Sequence, residues 1–295
     1  MKISTVPIQS IDLSFLGVHD VSVSVKRDDL VDPVISGNKL YKLKYHLDAL
    51  KQQNKQTLIT FGGAYSNHLH ATAYAGKQLG IQTIGCIRAE AHELKQLTPT
   101  LKDCVQWGMS LEPMSRAEYK LKRESSTANV LEEKYPDAYW IPEGGAGELG
   151  VKGAELMLAG VDHSQFDTVM LACGTGTTLA GVIRASSDNM QIIGVPVLKG
   201  AKWMAGEVEP YLSTSQTNWQ LVLDYHFSGY GKWNQELIEF IQLVEAETKL
   251  KLDPVYTGKA FYALVDLIKS GKINKGSRVL FLHTGGLQGF RNESF

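Results

Sequence analysis

Residues 168–181 read TVMLACGTGTTLAG, and the fold class follows from how that stretch divides. Thr168 to Cys173 is a short apolar run, Gly174-Thr175-Gly176 is a tight turn, and a helix opens at Thr177 or Thr178. A continuously apolar strand is one covered on both faces, as in a parallel sheet flanked by helices. A helix start behind a glycine turn also offers free backbone N–H groups, here with hydroxyls around them, to an anion such as a phosphate. The pattern is not the dinucleotide fingerprint, whose third glycine would fall at Leu179, nor a P-loop, since no Gly-Lys-Ser/Thr follows. Taken alone, the stretch reads equally well as an ordinary strand-to-helix turn.

The same unit recurs on either side. Leu58 to Phe61 is apolar, Gly62-Gly63 breaks it, and Ser66 or Asn67 can cap a helix running to Gly80. Further strands are expected at Val21 to Lys26, Gln82 to Ile87, Met109 to Pro113 and Tyr139 to Pro142, with helices near Thr98 to Trp107 and Arg116 to Lys134. NKLYKLKYHLDALKQQ carries Leu40, Leu43, Leu47 and Leu50 at helical spacing, so a helix starts at or just after Asn38. Beyond residue 144 a helix near Val151 to Leu158 and the strands QIIGVPV and RVLFLH continue the alternation. Strands alternating with helices imply an α/β protein with parallel sheets. There is neither a fixed-period repeat nor a low-complexity linker, so two domains, if present, must be interleaved.

At 295 residues and 43% hydrophobic content the chain can bury one large core or two smaller ones. Its 30 Lys and Arg nearly cancel 31 Asp and Glu, so no charge excess draws it to nucleic acid or an anionic membrane, and a small-molecule partner is expected. Cys86, Cys104 and Cys173 form no C-x-x-C pair, which fits neither a disulfide framework nor a zinc site and points to a reducing, cytoplasmic setting. MKISTVPIQSIDLSF lacks a continuous apolar core and no eighteen-residue apolar stretch occurs, so neither secretion nor membrane spanning is expected.

Several residues could carry chemistry. Lys39 follows Gly37-Asn38 at the start of a helix, where a lysine can be desolvated and made a usable amine; most lysines are simply solvated cations. Lys42 and Lys44 fall within the leucine-faced helix. Ser66 and Asn67, in GGAYSNH, bring hydroxyl, amide and free N–H groups to one spot suited to a carboxylate, and are also preferred caps. His68 and His70 are two apart and diverge by about 200° on a helix, so they do not share a metal. DPVYTGKAF and FLHTGGLQGF place Tyr256, Thr257, His283 and Thr284 near strand ends and glycine turns, where ligands sit in open parallel sheets.

Taken in order, SGNKLYKL, FGGAYSNH, IPEGGAGELGVKGAEL, CGTGTTLAG, DPVYTGKAF and HTGG resemble the 1-aminocyclopropane-1-carboxylate deaminase and D-cysteine desulfhydrase family of pyridoxal-phosphate enzymes, from about Lys26 to Gly289. The resemblance implies a tryptophan synthase β-like fold (fold type II), with a larger domain of residues 1–41 and 144–295 and a smaller one of residues 42–143. It implies pyridoxal 5'-phosphate held on Lys39, which would also move the substrate's α-proton. Gly174, Thr175, Gly176, Thr177 and Thr178 match the phosphate loop, Asn67 the asparagine at the ring oxygen, and Ser66 the serine placed for the substrate carboxylate or for catalysis. Tyr256 and, in the less well aligned FSGYGKWN, Tyr230 match active-site tyrosines.

Ring-opening deaminases are expected to carry Glu after that tyrosine and Leu after the histidine; this chain has Thr257 and Thr284, as in the desulfhydrase branch. A neutral hydroxyl at the pyridine nitrogen cannot hold it protonated as a carboxylate would, so the electron sink is weaker and β-elimination is favoured over ring opening. The expected activity is D-cysteine desulfhydrase-like, giving a 2-oxo acid, ammonia and sulfide. Alternatives are 1-aminocyclopropane-1-carboxylate deamination, dehydration or racemisation of serine-like amino acids, and a non-catalytic amino-acid or cofactor-binding role. Ala64-Tyr65 before Ser66, and His68 after Asn67, depart from the family pattern. A homodimer is expected from the family alone.

Overall fold

The computed structural model describes residues 3–121 and 133–290. Its strands are β1 (Ile8–Ile11), β2 (Ser22–Lys26), β3 (Thr57–Gly62), β4 (Gln82–Arg88), β5 (Met109–Met114), β6 (Ala138–Ile141), β7 (Thr168–Cys173), β8 (Gln191–Pro196), β9 (Trp219–Leu221) and β10 (Arg278–Leu282). The α-helices are α1 (Asn38–Gln52), α2 (Asn67–Leu79), α3 (Pro99–Gln106), α4 (Arg116–Leu121), α5 (Glu148–Glu155), α6 (Thr177–Ala185), α7 (Met204–Val208), α8 (Gln235–Thr248) and α9 (Thr257–Lys269). One sheet runs β1-β2-β10-β7-β8-β9, and the other runs β5-β4-β3-β6. All neighbours are parallel except β1, which lies antiparallel on β2. That edge strand, IQSI, has too little pattern for the sequence reading to anticipate it. Of the helix expected over Arg116 to Lys134, α4 and the helical residues Glu133 and Lys134 are the observed parts; residues 122–132 lie outside the described residues.

All six residues of β7 are buried, as an apolar run covered on both faces requires. Because successive strand side chains point to opposite faces, they divide between two cores. Leu171, Leu280 and Leu282 pack with Leu40, Leu43, Val151 and Leu179 from α1, α5 and α6. Met170, Ala172 and Phe281 pack with Ile241, Phe261 and Leu264 from α8 and α9. Phe261 and Phe281 meet edge to face with ring centres 5.1 Å apart, and removing either ring would cost about 3–5 kcal/mol.

Helix α1 begins where the sequence places it, and its four leucines are buried. Its start is pinned to the far end of the chain. Gly37 has φ +67°, a Cβ there would lie 1.9 Å from the Thr284 carbonyl oxygen, and the Asn38 N–H donates to that oxygen at 3.2 Å. Only glycine allows this approach, and it fixes where Lys39 stands. The three cysteines are free and buried, and among the described residues no helix is long and apolar enough to cross a membrane.

Candidate active site

A cleft of about 470 Å³ opens at the carboxyl ends of strands from both sheets, the usual place for a ligand in parallel α/β architecture. Lys39, Ser66, Asn67, Gly174, Thr175, Gly176, Thr178, Tyr230, Tyr256 and Thr284 all line it. Residues far apart in sequence are thus brought together by the strand ends and the Gly37–Thr284 approach. Thr177, Thr257 and His283 are buried and do not line it.

At one end lies the start of α6. Its N-cap is Gly176 and no side chain caps it, so its first N–H groups remain available. The Thr175 and Thr177 hydroxyls are 3.2 Å apart, and Thr178 Oγ1 accepts from Asn38 Nδ2 at 2.8 Å. Lys42 joins them. It is buried, forms no hydrogen bond or ion pair among the described residues, and sits where a Cβ on Gly144 would come within 3.4 Å of Thr175 Oγ1 and 3.9 Å of Lys42 Nζ. Burial, and then the Lys39 charge, pull its pKa well below the usual lysine value. A buried lysine beside a helix start that no side chain caps suits a doubly charged anion, which would hold the amine protonated.

Lys39 stands at the middle of the cleft, half-buried, with Nζ donating to Asn38 Oδ1 at 2.5 Å. Burial lowers its pKa to about 8, against the opposing pull of Asp253. An amine so poised is available as a nucleophile or base near neutral pH.

The Thr284 side chain lines the floor, and its hydroxyl makes no hydrogen bond among the described residues. Thr257 differs. Its hydroxyl donates to Asp253 Oδ1 at 2.7 Å and accepts from the Asp253 N–H at 2.9 Å, so it knits the start of α9 and faces away from the cleft. Of the two threonines expected at the cofactor, Thr284 lines the cleft and Thr257 does not. Asp253 is likewise engaged, accepting from the N–H groups of Val255, Tyr256 and Thr257.

The opposite end is built by α2. Ser66 caps it, Oγ accepting from the Leu69 N–H at 3.3 Å, while its own hydroxyl proton stays free to donate into the cleft. Asn67 Oδ1 accepts from Gln288 Nε2 at 2.6 Å, which orients the amide. Tyr256 packs its ring on Gly174 and donates to Tyr230 at 3.3 Å, the rings meeting edge to face. Burial raises both phenol pKa values, so both remain protonated at neutral pH. The Tyr230 loop is clamped from beneath by Lys259, whose buried ammonium donates to the carbonyls of His226 at 2.9 Å and Gly229 at 2.8 Å.

His68 and His70 point apart. His70 Nε2 meets Asp103 at 3.1 Å, whereas His68 lines the cleft. Since the Thr60 hydroxyl donates to the Ile141 carbonyl, it must accept from His68 Nε2, which leaves Nδ1 an unpartnered buried acceptor. Burial and the two lysines keep this ring neutral, far below the usual histidine pKa.

Lys42, Asn38, Asp253, Lys259, Arg88 and Glu143 are absent from the candidates read from sequence. For Lys42 a signal existed: three residues after Lys39, it lies on the same side of the helix, flanking the leucine stripe. The others depend on contacts that no local pattern announces.

Residues 5–285 match the family described as pyridoxal-phosphate dependent enzyme. A Pyrococcus furiosus protein with the provisional name 1-aminocyclopropane-1-carboxylate deaminase is 34% identical over 285 residues, covering 90% of this chain and 85% of its own. The bifunctional D-cysteine desulfhydrase/1-aminocyclopropane-1-carboxylate deaminase, mitochondrial, of Arabidopsis thaliana is 31% identical, covering 90% of this chain and 72% of its own. A crystal structure described as an ACC deaminase homologue superposes with TM-score 0.83 at 31% identity, covering 97% of this chain and 91% of the other.

Proposed function

The chain belongs to the pyridoxal-phosphate-dependent enzymes, and we propose that it is a lyase that removes the β-substituent of a small amino acid, D-cysteine first among them, giving a 2-oxo acid, ammonia and sulfide. The cofactor, when bound, supplies an electron sink for the substrate's α-carbon. The residues present fit it. Lys42 with the Gly174–Thr178 turn offers what a phosphate dianion needs, and Lys39 offers an amine with its pKa brought to about 8.

In this reading Lys39 holds the cofactor and then carries the α-proton, its amine being the cleft's half-buried base. Ser66 and the start of α2 bind the substrate carboxylate through the hydroxyl proton and free N–H groups. Asn67 contacts the ring oxygen. Tyr256 and Tyr230, protonated and joined to each other, stand ready to give a proton to the departing group.

The floor of the cleft carries the choice of reaction. Thr284 brings only a hydroxyl there, the Asp253 carboxylate is consumed by its own loop, and Glu143, the one carboxylate among the described lining residues, accepts from Tyr119 at 2.8 Å. Without a carboxylate on the ring nitrogen the sink is weak, which suits expulsion of a thiolate better than opening of a cyclopropane. The Arabidopsis relative is named for both activities, so the deciding experiment runs D-cysteine, L-cysteine and 1-aminocyclopropane-1-carboxylate on loaded enzyme. A 2-oxo acid and sulfide are expected from D-cysteine; 2-oxo acid from the cyclopropane substrate alone would overturn the assignment.

The same proposal takes the smaller domain as residues 42–143, supported by a sheet whose strands all fall between Thr57 and Ile141, and the enzyme as cytoplasmic and dimeric. The three buried thiols agree with a reducing compartment.

A further inference from the structure

Beyond the cleft, the same strand ends open onto a second cavity of about 940 Å³, and the two share a wall of Gly63, Ala64, Tyr65, Arg88 and Glu143. Cysteine would leave that second space unused. The charges on its wall are not equivalent. Arg116 is paired with Glu93 at 3.3 Å, and Glu143 accepts from the Tyr119 hydroxyl.

Arg88 ends β4 and forms no ion pair among the described residues. Its guanidinium lies 5.8 Å from the centre of the Tyr119 ring, which holds the group in place while leaving N–H donors unspent. On the cleft side stands Gly63, where even an added Cβ would be 3.9 Å from Arg88 Nη2, so the approach is open. With Lys120 on the same wall, the described lining residues carry three cations against Glu93 and Glu143. A planar, unpaired guanidinium beside the reacting end of an amino-acid cleft matches a carboxylate.

We propose that the second cavity receives the β-substituent of the substrate and that Arg88 selects substituents carrying a carboxylate, so the preferred substrate is a thioether amino acid rather than cysteine itself. This rests on the lyase reading above. The Cβ–S bond breaks with its electron pair leaving on sulfur, one water is consumed, and the products are an acidic thiol, ammonium and a 2-oxo acid.

The test uses the full chain loaded with pyridoxal 5'-phosphate, S-carboxymethyl-D-cysteine, and the uncharged S-carbamoylmethyl-D-cysteine of the same shape. Two quantities are measured for each: kcat/KM for 2-oxo acid release, and Kd from the change in cofactor absorbance. The acid is expected to be favoured roughly tenfold over the amide in both, the size of one modest ion contact. Arg88→Gln should bring the ratio near one and Arg88→Lys should keep part of it; a general loss of activity or partial unfolding cancels in the ratio. Equal handling of acid and amide by the unaltered enzyme, or a preference that survives Arg88→Gln, overturns the inference. D-cysteine turnover without that preference sinks this inference and leaves the lyase; selective, Arg88-dependent binding with no 2-oxo acid from any substrate does the reverse.

Discussion

Two helix starts face each other across the cleft, and they are finished differently. At α2 the protein supplies its own cap, Ser66, which satisfies the Leu69 N–H before any ligand arrives. At α6 it supplies none, places Gly176 at the cap position, and adds the buried amine of Lys42, which has no hydrogen-bond or ion-pair partner among the described residues. The first end has one of its N–H groups satisfied before a ligand arrives and can release it; the second has none capped by a side chain and should hold its ligand through many turnovers. In the proposed reading, resident cofactor and passing substrate are distinguished by how much of each site the protein satisfies by itself.

The largest effect that would break this contrast is at Lys42. Replacing it with Met removes the cation but keeps the bulk of the stem, and cofactor affinity measured by titrating the apoprotein should fall roughly 10–100-fold. An unchanged affinity would mean that the uncapped helix alone suffices.

A second measurement sharpens the role of the lysine between the two ends. In the proposed reading Lys39 must lose its proton to attach the cofactor, and burial brings its pKa to about 8, so the rate of attachment should rise with pH and level off above that value. Between pH 6.5 and 8.5 the increase should be roughly twentyfold, followed by stopped-flow absorbance. The sign for stability is the same. A lysine whose folded pKa is lowered penalises the fold while it is charged, so the apoprotein should gain stability as pH rises from about 8 toward the ordinary lysine value.

The smallest effect separates capping from binding at Ser66. Ser66→Ala should cost about 1 kcal/mol and lower Tm by about 2 °C, whereas Ser66→Gly should cost only a few tenths, since glycine is itself an acceptable cap. Both lose the hydroxyl, so substrate KM should rise alike in the two. A KM change that tracks Tm would make Ser66 a cap and nothing more.

The contrast was half legible in the sequence. TVMLACGTGTTLAG announced a buried strand, a turn and a helix start because propensity, apolar run and glycine spacing all agree there. Lys39, Ser66, Asn67 and both tyrosines were reachable through ordered motifs and do converge on the cleft. What stayed hidden were facts of direction. Nothing local tells that the Thr257 hydroxyl turns back to Asp253 while that of Thr284 stays open, or that a lysine beside the leucine stripe of a helix is buried. Lys259 and Arg88 act through loops and walls that exist only once the strand ends have come together.

The pairing of β2 (Ser22–Lys26) with β10 (Arg278–Leu282) sets an order of events during synthesis. A ribosome delivers β3 to β6, which need only one another, more than a hundred residues before β10 appears, so the four-stranded sheet can form on the nascent chain. Strand β2, held on one side by β1, must keep its other edge open until β10 has been made. The nascent chain should therefore be most exposed to proteases and to self-association until β10 has been made, and that strand is the one that brings the reactive lysine into register.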